Sequence, residues 1–286
     1  MILSEALYLA ANILNQAEVD DAFFEAQSLL CHILGISKTQ LHSELKRTLT
    51  QAEADRLGHY IQRRLLHEPT AYILERCEFY GNDFYINHHA LIPRPETELL
   101  VEKAIELVRS HPPSGNHLTI ADIGTGSGNI AISLALALPQ ARIYATDISA
   151  SALRVAEANC QLHKLDGQVK LPQGNLLEPL PEPVDVIVAN LPYIKDGDLK
   201  ALSPEIVNFE PPIALAGGKD GLDKIRDILA QISGGICPGS CLLLEIGQGQ
   251  SKAVSSLINS YLPQARVELF PDLGGIDRVV KVVFPL

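Results

Sequence analysis

The pattern of hydrophobic residues divides the chain into a helical first part and a second part in which strands and helices alternate. In residues 2–15 and again in residues 23–34, apolar side chains recur at intervals of three and four positions. This spacing predicts two amphipathic helices, with Gly35 ending the second. Residues 50–53 have the form of a capping box and predict a further helix. We expect the striped residues, Phe23 among them, to form the core of a small bundle.

Residues 76–95 are expected to link this bundle to the second part. Aromatic residues on both sides of Gly81-Asn82-Asp83 predict a hairpin over residues 79–86. Next, two prolines within residues 91–98 hold the chain extended and prevent a helix until after Pro95. That segment is either a plain linker or one rigid wall of a site. In the second case three charged side chains would face inward: Arg94, Glu96 and Glu98.

The second part alternates between short apolar runs and segments with helical spacing. Apolar runs predict strands at residues 118–123, 142–146, 168–171, 184–189 and 241–246. Helical spacing predicts helices at residues 96–110, 129–138, 150–163 and 251–261. The last two strands, at residues 266–270 and 278–284, have no helix between them and predict an antiparallel hairpin. The predicted fold class is α/β, a Rossmann-like doubly wound sheet with a terminal antiparallel hairpin.

A chain of 286 residues is long enough for a small domain and a large one. We divide it into a helical domain at residues 1–75, the hairpin and linker at residues 76–95, and an α/β domain at residues 96–286. No apolar run reaches the roughly 18 residues of a membrane span, and the N-terminus lacks a basic leader. The chain is therefore expected to be cytoplasmic.

The charge and the reactive side chains narrow the range of functions. A formal net charge of −11 argues against broad, sequence-independent binding of nucleic acid, although a local basic patch would still be compatible with it. The five cysteines, at positions 31, 77, 160, 237 and 241, lack the paired spacing of a zinc site. His32, His42, His59 and His67 are scattered along the chain. We expect reduced, mostly buried thiols and no metal.

A glycine-rich loop directly follows the first strand of the α/β domain and opens a helix. Its glycines allow a ligand to approach the backbone, and the helix N-terminus offers free N–H groups. A dinucleotide site would have the spacing G-x-G-x-x-G, whereas this loop has G-x-G-x-G with Asp122 two residues before it. It resembles the first motif of S-adenosylmethionine-dependent methyltransferases, in which the loop packs against the amino acid part of the cofactor. The resemblance assigns cofactor binding to Gly124, Thr125, Gly126, Ser127 and Gly128.

Two further residues fit the same cofactor. Asp147 ends the next strand, where a carboxylate would accept hydrogen bonds from both ribose hydroxyls. It could otherwise cap the following helix, for which Ser149 is also available. By resemblance to the methyltransferases, Asn175 is the candidate for contact with the adenine amino group. The glycine spacing disfavours a nicotinamide dinucleotide, and no set of hydride-transfer residues is evident.

Asn190, Leu191, Pro192 and Tyr193 follow the strand at residues 184–189, so they lie at the edge where open α/β sheets bind ligands. The Asn190 side-chain oxygen and the Leu191 backbone oxygen would orient an acceptor amide beside the cofactor and stabilise positive charge developing on its nitrogen. Pro192 restricts Leu191 to an extended conformation, and Tyr193 would stack on the acceptor. Taken alone, the four residues also fit an ordinary turn. The glycine loop upstream favours the catalytic interpretation.

Seven segments and the helical N-terminal domain together carry a family resemblance: residues 78–81, 91–98, 122–128, 209–211, 217–221, 244–247 and 277–280. On these the chain resembles the HemK/PrmC-type protein-(glutamine-N5) methyltransferases. The resemblance implies a class I S-adenosylmethionine-dependent fold and methylation of the glutamine in the Gly-Gly-Gln motif of class 1 peptide chain release factors. It also implies that the helical domain recognises the release factor.

Leu191 departs from the family pattern, because these enzymes usually have a proline there. Its backbone carbonyl can serve in the same way, but Asn-Leu-Pro-Tyr also resembles ribosomal RNA adenine dimethyltransferases. The alternative is therefore an adenine-N6 methyltransferase acting on RNA or DNA. The segment at residues 91–98, the helical domain and the acidic charge favour the protein substrate. A third hypothesis is a cofactor-binding regulator without catalysis, against which Asn190 and Tyr193 argue.

Overall fold

The protein was analysed as a computed structural model that describes residues 1–110, 118–165, 167–233 and 240–284. Cys237 lies outside the described residues. The chain forms two compact units, Met1–Arg76 with Ser203–Phe209, and Cys77–Leu202 with Glu210–Leu286. Our division placed the first boundary at residue 75 and assigned residues 203–209 to the α/β domain, whereas the structure groups that short segment with the helical unit.

The first unit is a helical bundle with its own core. Its first five helices are α1 (Leu3–Gln16), α2 (Ala22–Leu34), α3 (Lys38–Ser43), α4 (Gln51–Leu65) and α5 (Thr70–Leu74). Gly35 ends α2 in the left-handed conformation, and Thr50 begins α4 with both hydrogen bonds of the predicted capping box. The stripes of α1 and α2 are buried against each other, but Phe23 is 37% exposed, so its predicted place in the core was wrong.

The predicted hairpin is present, but its turn lies earlier than expected. Strand β1 (Arg76–Phe79) pairs with strand β2 (Asn82–Tyr85), which leaves Tyr80 and Gly81 as the two turn residues. Their φ angles are 50° and 70°, the positive values that a two-residue type I′ turn requires. Asn82 and Asp83, expected in the turn, therefore begin the second strand.

The second unit contains the remaining strands and all but one of the remaining helices. In chain order its helices and strands are α6 (Glu98–Ser110), β3 (Thr119–Ile123), α7 (Asn129–Ala137), β4 (Arg142–Thr146), α8 (Ala150–Leu162), β5 (Val169–Lys170) and β6 (Val186–Ala189). Helix α9 (Pro204–Phe209) belongs to the first unit and is followed by α10 (Asp223–Ser233), β7 (Cys241–Glu245), α11 (Ser251–Tyr261), β8 (Arg266–Pro271) and β9 (Asp277–Val283).

The sheet has the strand order β5-β4-β3-β6-β7-β9-β8. The first five strands in that order are parallel, whereas β9 runs antiparallel to both β7 and β8. The predicted α/β class with a terminal antiparallel hairpin is therefore confirmed. The hairpin enters the sheet through its second strand, β9, which separates β8 from β7.

Apolar side chains alternate between the two faces of the central strands and build two cores. Val186 and Val188 pack with α6 and α7, whereas Ile187 and Ala189 pack with α10 and α11. Our sequence prediction placed no helix between β6 and β7 and so missed α10. Two adjacent parallel strands require a crossover that covers one face of the sheet, and α10 supplies it.

Candidate active site

Three neighbouring strands end at the same level and deliver the predicted site residues to one edge of the sheet. Ile123 pairs in register with Thr146 on one side and with Ala189 on the other. The residue that follows each strand therefore faces the same crevice, as expected for a doubly wound sheet. A cavity at this edge is lined by Gly124, Gly126, Asp147, Asn175, Asn190, Leu191 and Pro192. Each of these seven was predicted as a site residue.

The three loop glycines adopt conformations that other residues rarely adopt. Gly124, Gly126 and Gly128 have φ angles of 74°, 57° and 81°, in the left-handed region that favours glycine. A Cβ atom on Gly128 would also lie 3.2 Å from the side chains of both Ala156 and Ile132. Gly128 therefore serves close packing of the helices, and it does not line the cavity.

The buried Asp122 holds the glycine loop in place through hydrogen bonds. Its Oδ2 atom accepts hydrogen bonds from the Thr125 hydroxyl at 2.6 Å and from the Ala131 backbone N–H at 3.2 Å. Burial raises the pKa of Asp122 to about 7, although those two hydrogen bonds lower it. The side chain of Thr125 therefore holds the loop to the end of β3, and Thr125 is absent from the cavity wall.

Ser127 also points into the protein. Its hydroxyl lies 3.1 Å from Asn129 Oδ1, and its backbone oxygen accepts a hydrogen bond of 2.8 Å from Asn159 Nδ2. Asn159 in turn donates to the backbone oxygen of Tyr85. Thus Thr125, Ser127 and Gly128 shape the loop, while Gly124 and Gly126 present its backbone to the cavity.

Asp147 lies beside the loop with both carboxylate oxygens engaged by backbone groups. Oδ2 accepts from Gly126 N at 2.9 Å and Oδ1 from Ser149 N at 2.8 Å. The Ser149 hydroxyl accepts from Ala152 N and so caps α8, which was the second role that we had considered for Asp147. Burial raises the pKa of Asp147, while the backbone hydrogen bonds lower it.

Asn175 and Asn190 both line the cavity and carry side-chain amides. Asn175 Nδ2 donates to Glu178 Oε1 at 2.9 Å, and Asn190 Nδ2 donates to Thr97 Oγ1 at 3.1 Å. Both amides thus have their nitrogen engaged by the protein. Thr97 is buried and is a site residue that sequence reasoning missed, because we considered only the charged residues around it.

Leu191 lines the cavity, and its side chain belongs to the core. The side chain is 4% exposed and packs beneath the glycine loop, where its Cδ2 atom would lie 3.3 Å from a Cβ atom on Gly124. Leucine at this position therefore adds to the core that includes Ile123 and Ala189. Its contact with the loop is apolar.

Tyr193 is held from several sides but is not part of the cavity wall. Its hydroxyl lies 3.5 Å from Glu245 Oε1, longer than a normal hydrogen bond, and its backbone oxygen accepts from Gln250 Nε2 at 3.0 Å. Burial and the charge of Glu245 raise the pKa of Tyr193 to about 12, while Arg278 lowers it. The tyrosine is therefore a neutral hydrogen-bonding group near neutral pH.

The segment at residues 91–98 contributes to the cavity wall. Leu91 lines the cavity, and Arg94 forms an ion pair of 2.6 Å with the buried Glu210. Of the other two residues expected to face inward, Glu98 accepts a hydrogen bond from Tyr80 N, and Glu96 is exposed. None of the three charged residues lines the cavity, and their inward orientation stays a prediction.

Several cavity residues carried no signal that we used: His89, Ala90, Ile148, Ile213, Ala214 and Lys224. Ile148 and Ile213 are large apolar side chains that remain more than half exposed. Both therefore present exposed apolar surface at the cavity wall. Ile148 was accessible to sequence reasoning, because it directly follows Asp147 at the end of β4.

The last features to consider are metal ligands, thiols and membrane-spanning helices. No group of three His, Cys, Asp or Glu side chains among the described residues could hold a metal ion. Of the described cysteines, Cys31, Cys77 and Cys241 are half-buried free thiols, and Cys160 is a buried one. Within the described part of the chain no helix has the length and hydrophobicity of a membrane span.

Comparison with known proteins gives consistent results over both units. Residues 5–74 match the family model of the PrmC N-terminal domain, and residues 97–208 match that of the methyltransferase small domain. The chain is 40% identical over 279 residues to the release factor glutamine methyltransferase of Moorella thermoacetica, covering 97% of each protein. It is 38% identical over 268 residues to that of Bradyrhizobium diazoefficiens, covering 94% of this chain and 90% of the relative.

Among solved structures, a methyltransferase from Pyrococcus furiosus matches 79% of this chain and 98% of its own, with a TM-score of 0.51 and 16% identity. Similarity at that level of identity concerns the fold alone.

Proposed function

The chain belongs to the family of release factor glutamine methyltransferases, and from this premise we propose its substrates and the roles of its residues. It transfers the methyl group of S-adenosylmethionine to the side-chain amide nitrogen, N5, of the glutamine in the Gly-Gly-Gln motif of class 1 peptide chain release factors. The observation that carries this proposal is the Asn190 amide, fixed by Thr97 in the same cavity as Gly124, Gly126 and Asp147.

The cavity fits S-adenosylmethionine in the types of groups that it presents. Gly124 and Gly126 expose backbone for the amino acid part, Asp147 offers a carboxylate for the ribose hydroxyls, and Asn175 offers an amide for the adenine. The exposed Ile148 suits the flat face of that base. When bound, the cofactor supplies a methyl group on a sulfonium, which is already an activated leaving group.

The acceptor nitrogen determines what the protein residues must do. The lone pair of an amide nitrogen is delocalised, so this nitrogen is a poor nucleophile. With Asn190 Nδ2 donating to Thr97, the side-chain oxygen is left to accept an N–H of the acceptor. The Leu191 backbone oxygen would accept the second N–H, and both oxygens would stabilise the positive charge developing on nitrogen. Such groups act chiefly by orienting the acceptor.

The helical unit has a proposed part in recognising the release factor. Residues 5–74 match the PrmC N-terminal domain, and the described residues of that unit supply none of the cavity wall. We propose that it binds the folded release factor while the α/β unit binds the glutamine.

A labelled-methyl transfer assay tests the proposed reaction directly. The wild-type protein is offered a release factor, the same factor with the Gly-Gly-Gln glutamine changed to alanine, ribosomal RNA and DNA. We expect label in the unchanged release factor alone. Label in nucleic acid and none in the release factor would instead support the adenine-N6 alternative suggested by Leu191. Cofactor binding by calorimetry without label in any acceptor would support a regulator without catalysis.

The substitution Asn190→Ala tests the role of the amide. We expect turnover to fall by roughly 10²-fold or more, because one of two fixed acceptor groups is removed, while cofactor affinity changes little. Asn259→Ala is a matched control, since Asn259 is exposed on α11 and its variant should behave as wild type. A variant of Asn190 whose turnover recovers fully at saturating cofactor would contradict this role.

A further inference from the structure

The side chain of Gln250 joins three loops at the end of the acceptor segment, residues 190–193. Its Nε2 atom donates to the backbone oxygen of Tyr193 at 3.0 Å and to that of Gly221 at 3.2 Å. Its Oε1 atom accepts from the backbone N–H of Gly247 at 2.8 Å. A backbone oxygen can only accept and a backbone N–H can only donate, so the orientation of this amide is fixed by its partners. One side chain thus satisfies three backbone groups.

The three loops belong to neighbouring elements of the sheet. Tyr193 comes shortly after β6, and Gly247 comes shortly after β7. These strands are adjacent and parallel. Gly221 precedes α10, the helix that crosses from one of them to the other. The amide of Gln250 therefore ties together the ends of two strands and the start of their crossover.

Glycine at two of the contact positions is a steric requirement of this arrangement. A Cβ atom on Gly221 would overlap the Tyr193 backbone oxygen and lie 2.8 Å from Gln250 Nε2. A Cβ atom on Gly247 would lie 3.0 Å from Gln250 Oε1. Both distances are below the 3.4 Å at which ordinary contact begins. The two backbones thus approach the amide more closely than a residue with a side chain would allow.

Gln250 itself is held at the start of a helix. Its backbone N–H donates to the Gly247 oxygen at 3.1 Å, and its backbone oxygen accepts from Val254 N at 2.9 Å. Helix α11 begins at the next residue and buries Val254 and Ile258 in the core. The amide therefore extends from a fixed point of the α/β unit, which suits it to hold a loop in one position.

The backbone that Gln250 holds is continuous with a group of the proposed mechanism. The Tyr193 oxygen lies two residues beyond the Leu191 oxygen, which would accept an N–H of the acceptor. Pro192 stands between them with its φ fixed by the ring, so a displacement of the Tyr193 backbone is passed on to Leu191. Gln250 and Tyr193 are both absent from the cavity wall.

We propose that Gln250 is a positioning residue that holds the Tyr193 backbone and, through it, keeps the Leu191 carbonyl oxygen directed at the acceptor nitrogen. This deepens the proposed function and rests on it in taking residues 190–193 as the acceptor segment. Gln250 itself touches neither the acceptor nor the cofactor.

Two substitutions at position 250 separate the donor half of the amide from the acceptor half. Gln250→Met removes both, whereas Gln250→Glu keeps an oxygen for the Gly247 N–H and removes the donor to Tyr193. At saturating cofactor we expect kcat to fall by roughly 10- to 100-fold in the methionine variant, in the range of a small misplacement of an orienting group. The glutamate variant should lose at least as much, because its carboxylate would face two carbonyl oxygens.

The remaining constants distinguish positioning from a general loosening of the fold. The KM for the acceptor and the Kd for S-adenosylmethionine should change much less than kcat in both variants. A glutamate variant with wild-type kcat beside an impaired methionine variant would place the important contact at Gly247 and overturn the proposal. Wild-type kcat in both variants would overturn it as well.

Gln248 provides a matched control in the same turn. It is exposed and lies two positions before Gln250. Gln248→Met and Gln248→Glu make the same chemical changes without removing the contacts to the three loops, so both should turn over as wild type. If they lose as much kcat as the Gln250 variants, the loss comes from the turn and the proposal fails.

A second readout needs no acceptor. With ¹³C only in the tyrosine carbonyls, NMR gives one signal for each of the 8 tyrosines, and Tyr193→Phe identifies the signal of Tyr193 by its loss. We expect this signal to shift in Gln250→Met and to stay in place in Gln248→Met. If wild type labels no release factor, the proposed function fails, and this measurement still tests the hold on Tyr193. An unchanged Tyr193 signal in Gln250→Met would refute the inference.

Discussion

Gly217→Ala is the most direct test of how the acceptor segment is held in place. Gly217 lies outside the left-handed region, so alanine meets no backbone strain there. The obstacle is steric: a Cβ atom would lie 2.7 Å from the Pro192 carbonyl oxygen, 2.8 Å from Tyr193 Cα and 2.9 Å from Gly221 Cα. All three neighbours are backbone atoms, which cannot rotate away as a flexible side chain can.

The size of the displacement sets the expected loss. Ordinary contact begins at 3.4 Å, so the separation from the Pro192 oxygen must grow by 0.7 Å, from 2.7 to 3.4 Å. Catalytic groups must be held within about 0.5 Å of productive geometry, and a misplacement of about 1 Å can cost 10²-fold. We therefore expect kcat to fall by about 10- to 100-fold. Cofactor affinity should change little, because Gly217 does not line the cavity.

Methyl transfer measured at saturating cofactor, with cofactor binding by calorimetry, provides the assay. Gly197→Ala is a matched control, since Gly197 follows the same segment, lies outside the left-handed region and has no atom within 4 Å of an added Cβ. The control should turn over as wild type. If Gly217→Ala also retains wild-type kcat, the contact of its backbone with Pro192 and Tyr193 does not hold the acceptor segment, and the steric reasoning is refuted.

Two further predictions concern the cofactor and the helical unit. Asp147→Asn should raise the Kd for S-adenosylmethionine by at least about tenfold, since hydrogen bonds to a charged group are worth roughly 1.5–3 kcal/mol, and calorimetry would show an unchanged Kd if Asp147 does not bind the ribose. Arg64→Ala should lower the free energy of unfolding by about 3 kcal/mol in denaturant titration, because buried Arg64 pairs with Glu25 and Glu205. Arg63→Ala, which removes a more exposed pair with Glu68, should cost less than about 1 kcal/mol, and equal losses would contradict the importance of burial.

The sequence alone determined the features that depend on neighbouring residues. The three- to four-residue spacing of hydrophobic residues, together with the capping residues, predicted α1, α2 and α4. The order of a strand, a glycine loop and an acidic residue predicted where Gly124 and Asp147 would lie. These signals are local, because a helix, a cap or a tight turn is formed by residues within a few positions of each other. The same reasoning failed at α10, whose residues we did not recognise as the crossover that parallel strands require.

Only the tertiary structure decided which distant residues support the acceptor segment. Thr97 reaches Asn190 across 93 positions of the sequence, and Glu245 lies 3.5 Å from the Tyr193 hydroxyl because β7 pairs in register with β6. Nothing in the spacing of those residues indicates contact, since strand register and the packing of α6 bring them together. The close approach of Gly217 to Pro192 is likewise a property of two folded segments. The local pattern thus specified the groups that meet the ligands, and the three-dimensional packing specified what holds those groups in position.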